Sequence, residues 1–216
     1  SYSTMTAKFP MSRPQYKLIP PYPIALALSP NAERNIDMVS VSDKMAAKWN
    51  VTREEADEYA LRSQERLAAA YRNGITGNEI IPITLPATRK TPEVVIDKDE
   101  FPRPGTTMEG LSKLRAVNKD GVTTAGNASG RNDGAAFLLV MTAEKAKEYG
   151  YTPIAKWIGG AHHGVQEDYM GIGPAYSNLK ALKQLGLKVS DIDVVECNEA
   201  FAAQNLSVIR EMEAQS

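Results

Sequence analysis

The chain has 216 residues, of which 43% are hydrophobic, enough for the core of one large domain or two small ones. Its 25 lysines and arginines nearly balance its 26 aspartates and glutamates, so the net charge of −1 gives no basic surplus for binding nucleic acid. The longest apolar stretches, residues 24–28 and 135–141, are far shorter than the ~20 residues that cross a bilayer, which excludes a membrane protein. The single Cys197 excludes an intrachain disulfide framework, which fits the cytosol or an organelle matrix, and of the two we predict a cytoplasmic protein.

The first half of the chain opens with prolines and continues with helices. Six of the thirteen prolines fall within residues 1–30 and predict an irregular segment that lies on another surface. The pattern turns helical from Ser42, and a capping box of Thr52 and Glu55 predicts a second helix over about residues 53–73. Two short strands then follow, at residues 80–85 and 93–96, and we predict that they form a hairpin.

The second half of the chain alternates apolar runs with helical patterns. The continuous apolar run 135–141 predicts a strand buried on both faces. The other predicted elements are helices at residues 108–114, 143–149, 175–185 and 200–212 and strands at residues 154–158 and 194–196. This alternation predicts an α/β layered fold with parallel strand pairing.

Two segments are candidates for chemistry on their residue types alone. The glycine-rich loop 125–134 precedes the predicted buried strand, and it fits a structural turn as well as a ligand cradle. Asn198 follows a predicted strand, where ligands of α/β sheets bind, although an asparagine there also fits a simple helix cap. Cys197 has no basic neighbour in the sequence, and a structural role is favoured over a nucleophilic one.

A metal site is imaginable at the histidine pair His162 and His163, which Glu167 and Asp168 follow closely. Adjacent histidines on a strand point to opposite faces, so they would not converge on one ion. We therefore predict no metal site.

Five motifs occur in the order and spacing of the thiolase family, and the chain resembles that family over nearly its whole length. They are residues 99–107, 113–115, 124–130 with 132–136, 170–174, and the segment Asn-Glu-Ala-Phe-Ala-Ala at 198–203. The resemblance implies a thiolase-like αβαβα layered fold, incomplete in this chain, with a loop domain over the active site. It implies a loop domain at residues 1–129, the last strand and helix of the N-terminal half at 130–150, and the first part of the C-terminal half at 151–216.

The resemblance also implies an activity: acyl transfer between acyl-CoA thioesters and CoA, by Claisen condensation or by thiolytic cleavage of 3-ketoacyl-CoA, as in fatty acid metabolism. Coenzyme A and acyl-CoA would be substrates, with no permanently bound cofactor. Asn198 would hold the water that donates to the thioester oxygen, a role that suits a neutral amide able to donate and accept. The implied CoA- and substrate-binding residues are Met38, Arg103, Ser129, Met170, Ala200 and Phe201.

Three positions depart from the family pattern. Asp37 stands where well-known biosynthetic members have a histidine, Arg131 where an aliphatic residue is usual, and Asn118 where an aromatic residue lies near the adenine. The acyl specificity or the CoA contacts are therefore expected to differ from those of an acetoacetyl-CoA enzyme.

The family's nucleophilic cysteine, its Gly-His-Pro histidine and its Cys-x-Gly cysteine have no counterpart in the 216 residues, which match the middle, roughly half, of an ordinary thiolase. Because the chain begins with Ser1, it is expected to be a processed product or part of a longer polypeptide. We expect uncovered apolar faces, a complementary thiolase chain or segment carrying the catalytic cysteine and histidine, and an oligomer. The alternative is a non-catalytic thiolase-like subunit that binds acyl-CoA or acts as a scaffold.

Overall fold

A computed structural model of the chain describes residues 29–215, so most of the proline-rich opening lies outside the described residues. Within this part of the chain there are six α-helices, one two-stranded sheet and four short 3₁₀ segments. The α-helices are α1 (Met38–Lys48), α2 (Arg53–Arg72), α3 (Met108–Ser112), α4 (Ala143–Glu148), α5 (Gly173–Leu185) and α6 (Ala202–Gln215). The strands are β1 (Ile83–Leu85) and β2 (Val94–Ile96), and the 3₁₀ segments are Ala32–Arg34, Thr76–Asn78, Glu167–Ile172 and Val189–Asp191.

The first two helices begin at side-chain caps. Helix α1 starts at Met38, four residues before the predicted start, because the Asp37 carboxylate accepts the Ser40 backbone N–H at 3.0 Å. Helix α2 starts at the predicted capping box: the Glu55 N–H donates to the Thr52 hydroxyl at 3.2 Å, and the Thr52 N–H donates to the Glu55 carboxylate at 2.8 Å. The prediction of a long second helix is confirmed.

The predicted hairpin is also confirmed. Strands β1 and β2 pair antiparallel, with Ile83 opposite Ile96 and Leu85 opposite Val94. All six strand residues are exposed, so the hairpin buries neither face against the described part of the chain.

The core of the described residues is built from helices. One cluster joins α1 to the 3₁₀ segment Glu167–Ile172, α5 and α6, and it consists of Val41, Met45, Ile172, Ala175 and Val208. A second cluster joins α1 and α2 to the start of α6, and it consists of Ala46, Val51, Ala56, Ala202 and Ala203. The small side chains of the second cluster allow the three helices to approach closely, and they fix the start of α6 against α2.

Three of the predicted strands are wrong for this structure. Residues 135–141, 154–158 and 194–196 form no regular secondary structure, and Phe137 and Val194 are 95% and 83% exposed instead of buried. A strand is stable only when a neighbouring strand satisfies its backbone groups, and residues 29–215 supply no ladder for these segments. Consequently the one sheet among the described residues is antiparallel, and the predicted parallel pairing is not formed. The apolar faces of these segments are uncovered, as the sequence predicts.

The helices between these segments agree with prediction more closely. Helix α5 has Pro174 in its first turn and ends at Gly186, which has a φ of +69°. Helix α6 starts at Ala202, two residues later than predicted, and extends to Gln215. Within residues 29–215, none of the helices combines the length and apolar character that crossing a bilayer requires.

Candidate functional site

The glycine-rich loop and the Asn-Glu-Ala-Phe segment meet side by side. The Ser129 backbone N–H donates to the Ala200 carbonyl at 2.9 Å, and the Ala202 N–H donates to the Asn127 carbonyl at 3.0 Å. Between them Ala128 and Phe201 form an antiparallel bridge. The structure thus brings together three of the sequence-predicted site residues, Ser129, Ala200 and Phe201.

A buried polar network holds the glycine-rich loop from behind. The Asn127 amide accepts the Thr124 backbone N–H at 2.8 Å and donates to the Asp57 carboxylate at 2.9 Å. Asp57, which is 1% exposed, is also paired with Arg53 at 2.7 Å, and Arg53 donates to the Leu111 carbonyl at 2.8 Å. Because a buried charge is stable only when fully paired, this network fixes the loop to α2 and α3.

A second carboxylate holds the turn that precedes the loop. One oxygen of Asp43 on α1 accepts the backbone N–H groups of Val122 and Thr123, both at 3.0 Å. Its other oxygen accepts the Asn118 amide at 3.0 Å. Asn118, which replaces an aromatic residue of the family pattern, is therefore used to fix this turn to α1.

The close approach of Asp43 explains Gly121 and leads to a stability prediction. A β-carbon at position 121 would lie 2.7 Å from the Asp43 carboxyl carbon, so Gly121→Ala should displace the carboxylate from the two backbone groups. We expect a loss of about 1–3 kcal/mol in the free energy of unfolding, as for other overpacked sites. Gly77→Ala is the matched control, because nothing lies within 4 Å of its β-carbon position. Thermal unfolding of the two variants tests the prediction, and equal melting temperatures would contradict it.

Arg103 lies in the loop next to the glycine-rich loop and turns back on its own backbone. Its guanidinium Nη1 donates to the carbonyls of Glu100 at 2.7 Å and Phe101 at 2.9 Å. The Phe101 ring packs against Gly130, where a β-carbon would lie 2.6 Å from a ring carbon. Arg103 and Ser129 are therefore carried by two loops in contact.

Asn198 itself is exposed, and its side chain makes no hydrogen bond to residues 29–215. Its backbone carbonyl accepts the Ala200 N–H at 3.0 Å, which folds the segment into a tight turn. Helix α6 begins four residues after Asn198, at Ala202, so the helix-cap interpretation of Asn198 is wrong for the described structure. The Asn198 side-chain amide therefore has donors and an acceptor that no other group among residues 29–215 uses.

The two neighbours of Asn198 are both tied down. The Glu199 carboxylate accepts the Ser63 hydroxyl of α2. The Cys197 thiol donates to the Asn205 side-chain oxygen at 3.0 Å, and burial, with Glu196 and Glu199 nearby, raises the pKa of this thiol. A protonated, hydrogen-bonded thiol is a poor nucleophile, which favours the structural role of Cys197.

The two methionines of the predicted site lie at its margins. Met170 is 43% exposed and precedes Gly171, whose carbonyl accepts the Gln204 amide of α6 at 3.1 Å. Met38 is 36% exposed and is the first residue of α1, the helix that supplies Asp43. Both therefore belong to elements that contact the site, although neither is joined to it by a hydrogen bond of its own side chain.

The histidine pair is used in packing. The His163 ring stacks on Tyr176 with centroids 5.3 Å apart, and the His162 carbonyl accepts the Lys180 ammonium at 3.1 Å. In the described part of the chain, no group of three or more His, Cys, Asp or Glu residues could hold a metal ion.

Sequence reasoning missed the residues that support the site: Asp43, Asp57, Ser63 and Glu199. Asp57 lies on the buried side of α2, directly after the buried Ala56 and one turn before Ala60. An acidic residue on a buried helical face must have a partner, so this signal was present in the sequence. The identity of the partner, Asn127, was not.

Fold and loop arrangement together define an incomplete α/β protein of the thiolase-like class. The chain belongs to the thiolase family: residues 25–144 match the model "Thiolase, N-terminal domain" and residues 151–216 match "Thiolase, C-terminal domain". Among curated relatives, an acetyl-CoA acetyltransferase of Thiocystis violacea is 48% identical over 79% of this chain and 43% of its own length. A beta-ketoadipyl-CoA thiolase of Pseudomonas putida is 46% identical over 81% of this chain and 44% of its own.

Solved structures give the same assignment. The acetyl-CoA acetyltransferase of Bacillus anthracis matches with a TM-score of 0.80 and 44% identity, over 84% of this chain and 46% of that one. Human mitochondrial 3-ketoacyl-CoA thiolase matches with a TM-score of 0.74 and 37% identity, over 85% and 46%. The chain thus spans about half the length of the relatives that it matches.

Proposed function

We propose that this chain is the part of a thiolase that supplies the oxyanion-stabilising Asn198 and much of the CoA-binding surface. The observation that supports this most is the open amide of Asn198, on a turn whose two flanking residues are both tied to the protein. An exposed asparagine whose side chain has no hydrogen-bond partner among residues 29–215 fits a group that acts on a ligand.

The proposed thiolase reaction requires a hydrogen-bonding group of this kind. Joining two thioesters requires an acyl-enzyme, removal of a proton next to a thioester carbonyl, and donors for the resulting oxyanion. The Asn198 amide can hold a water that donates to this oxygen, with a histidine from a Gly-His-Pro segment as the second donor. Fixed donors aimed at the developing charge lower the barrier to the enolate.

The substrate would lie along the two crossing loops. Ser129 would contact the pantetheine amide, while Ala200 and Phe201 would wall the acyl pocket. Met38 would line the pantetheine tunnel and Met170 the acyl or the pantetheine channel, since flexible apolar side chains suit a varied ligand. CoA and acyl-CoA would be substrates and no cofactor would be bound permanently.

The other half of the active site would come from a complementary thiolase chain or segment with the catalytic cysteine and histidine. The uncovered apolar segments 135–141, 154–158 and 194–196 are the surface that its strands would cover. The complete assembly would be a cytoplasmic oligomer. In this assembly the loop domain of the chain would end at residue 129, the last strand and helix of the N-terminal half at residue 150, and the first part of the C-terminal half would follow.

A non-catalytic acyl-CoA-binding or scaffold subunit is the second candidate. The state of Asp37 favours it: the carboxylate caps α1, and hydrogen bonds from Ser40 lower its pKa despite partial burial. Asp37 therefore places a negative charge one residue before Met38, within the proposed CoA-binding surface. A subunit that only binds acyl-CoA would tolerate this charge.

Purification through a tag on this chain, followed by identification of what co-purifies, separates the two candidates. We expect a complementary chain or segment with a Gly-His-Pro motif and a cysteine that iodoacetamide blocks. The assembly should then cleave acetoacetyl-CoA or a longer 3-ketoacyl-CoA. An assembly that binds acyl-CoA but has no reactive cysteine would support the second candidate.

Arg103 provides a test of the CoA-binding surface in this assembly. Arg103→Ala should weaken CoA binding by about 1–3 kcal/mol, the usual cost of losing a charged hydrogen bond. The loss should shrink as salt is added, because a phosphate contact is screened whereas packing of the 100–103 turn is not. Arg72→Ala, which removes an equal charge from the end of α2, is the control. Unchanged CoA affinity at low salt would reject the assignment.

A further inference from the structure

We infer that Tyr59 and Ser63 of helix α2 are positioning residues that hold the turn around Asn198 in its working geometry. The inference rests on the proposed function of Asn198 and adds the structural means by which the chain orients that amide. It concerns contacts made by the neighbours of Asn198, not by Asn198.

The two residues form one face of α2. They are four positions apart, so their side chains lie one above the other on the helix. Ser63 donates its hydroxyl to Glu199, the residue after Asn198. Tyr59 accepts the Asn205 amide at 3.2 Å, and the other end of that amide accepts the thiol of Cys197, the residue before Asn198. Both flanks of Asn198 are thus tied to the same helical face.

The Tyr59 hydroxyl also lies near the charge of the Glu199 carboxylate, which Ser63 holds. Burial and the Glu199 charge raise the pKa of this hydroxyl, which therefore stays protonated at neutral pH. Asn205 is 1% exposed and cannot exchange its partners for water.

Helix α2 is a suitable frame for this purpose. It is 20 residues long, begins at a complete capping box and is fixed to the glycine-rich loop through Asp57 and Asn127. A third restraint comes from the Ser129–Ala200 backbone hydrogen bond. These contacts hold the backbone on both sides of Asn198 and leave its side chain exposed, which is the arrangement that a preorganised donor needs.

The test uses Ser63→Ala and Tyr59→Phe in the complete assembly that carries this chain. Small displacements of a catalytic group have large effects on rate, so we expect each variant to lower kcat for condensation by about 10-fold and the double variant by up to about 100-fold. KM for CoA should change by less than about 2-fold, because the binding loops are untouched. Transfer of the acyl group to the cysteine, measured separately, should be nearly unchanged because it does not pass through the enolate.

Matched controls separate positioning from general packing. Tyr176→Phe removes a hydroxyl bonded to a glutamate, Glu211, at 2.8 Å, and Ser177→Ala removes a hydroxyl bonded to the Pro174 carbonyl. Neither residue belongs to the proposed site, and both variants should keep the condensation rate. Glu199→Gln, which still offers an oxygen to Ser63, should keep most of that rate, whereas Glu199→Ala should behave like Ser63→Ala.

The outcomes distinguish this inference from the function on which it rests. If Asn198→Ala abolishes condensation while Ser63→Ala and Tyr59→Phe leave kcat unchanged, the positioning role is wrong and the proposed function stands. If the α2 variants and the controls lower both half-reactions equally, the contacts are merely structural and the inference is overturned. If Asn198→Ala itself has no effect, the proposed function fails first.

Discussion

The 216-residue chain alone is expected to show no thiolysis of acetoacetyl-CoA above background. The nucleophilic cysteine and the Gly-His-Pro histidine would be supplied by the complementary segment, and without an acyl-enzyme only the oxyanion donor remains. In a serine protease, which also acts through an acyl-enzyme, loss of the nucleophile costs about 10⁶-fold in kcat. The measurement is a thiolysis assay with the purified chain at high concentration.

The same preparation should expose apolar surface. Phe137, Leu138 and Val140 are 95%, 91% and 80% exposed, and Trp157 and Val194 are exposed to a similar extent. Large apolar side chains with this degree of exposure are unusual on a stable monomer, so we expect strong binding of the dye ANS or self-association. Adding the complementary segment should remove the dye signal and restore activity together.

Two results would count against this prediction. Turnover by the isolated chain would mean that the split-site interpretation is wrong. A monomer that neither binds dye nor associates would mean that the apolar segments are covered within the chain itself.

Helices of this chain were predictable because their signals are local. The Thr52–Glu55 capping box and the Pro174 and Gly186 boundaries of α5 lie within or next to the helices they define. Helix α1 starts four residues before its predicted start because Asp37 caps it. This cap is also a local signal, and it is present in the sequence.

Three of the predicted strands are not formed in the structure, for a different reason. The run 135–141 has the composition of a buried strand, but composition does not supply a neighbour to pair with. Only the hairpin, whose two strands are nearly adjacent in the chain, finds its partner within residues 29–215. Whether the other apolar runs form strands depends on pairing partners that residues 29–215 do not supply.

The candidate site likewise has parts that local sequence signals predict and parts that they do not. Its motifs were visible in the sequence, and the junction of Ser129 with Ala200 joins two of them. Its supports join residues far apart, with 70 positions between Asp57 and Asn127 and 136 between Ser63 and Glu199. No local pattern specifies such pairs, which is why the contacts that Tyr59 and Ser63 of α2 make could not be predicted from the sequence.

In the complete assembly, Asn198→Ala is expected to lower kcat for condensation by about 10²–10³-fold, the usual effect of removing one oxyanion donor. The variant removes an exposed amide with no partner among residues 29–215, so its melting temperature should barely change. Gln184→Ala, an exposed amide on α5, is the control for loss of a surface amide. Steady-state condensation and thermal unfolding are measured on the same samples.

The two half-reactions make the test sharper. Acyl transfer to the cysteine forms no enolate, so an amide that stabilises the enolate should affect this step much less than condensation. Had Asn198 served as a helix cap, the variant would instead lose about 1 kcal/mol of stability and keep its turnover. A normal condensation rate, with or without a lower melting temperature, would refute the catalytic role of Asn198 and favour the acyl-CoA-binding subunit, since such a subunit needs no oxyanion donor.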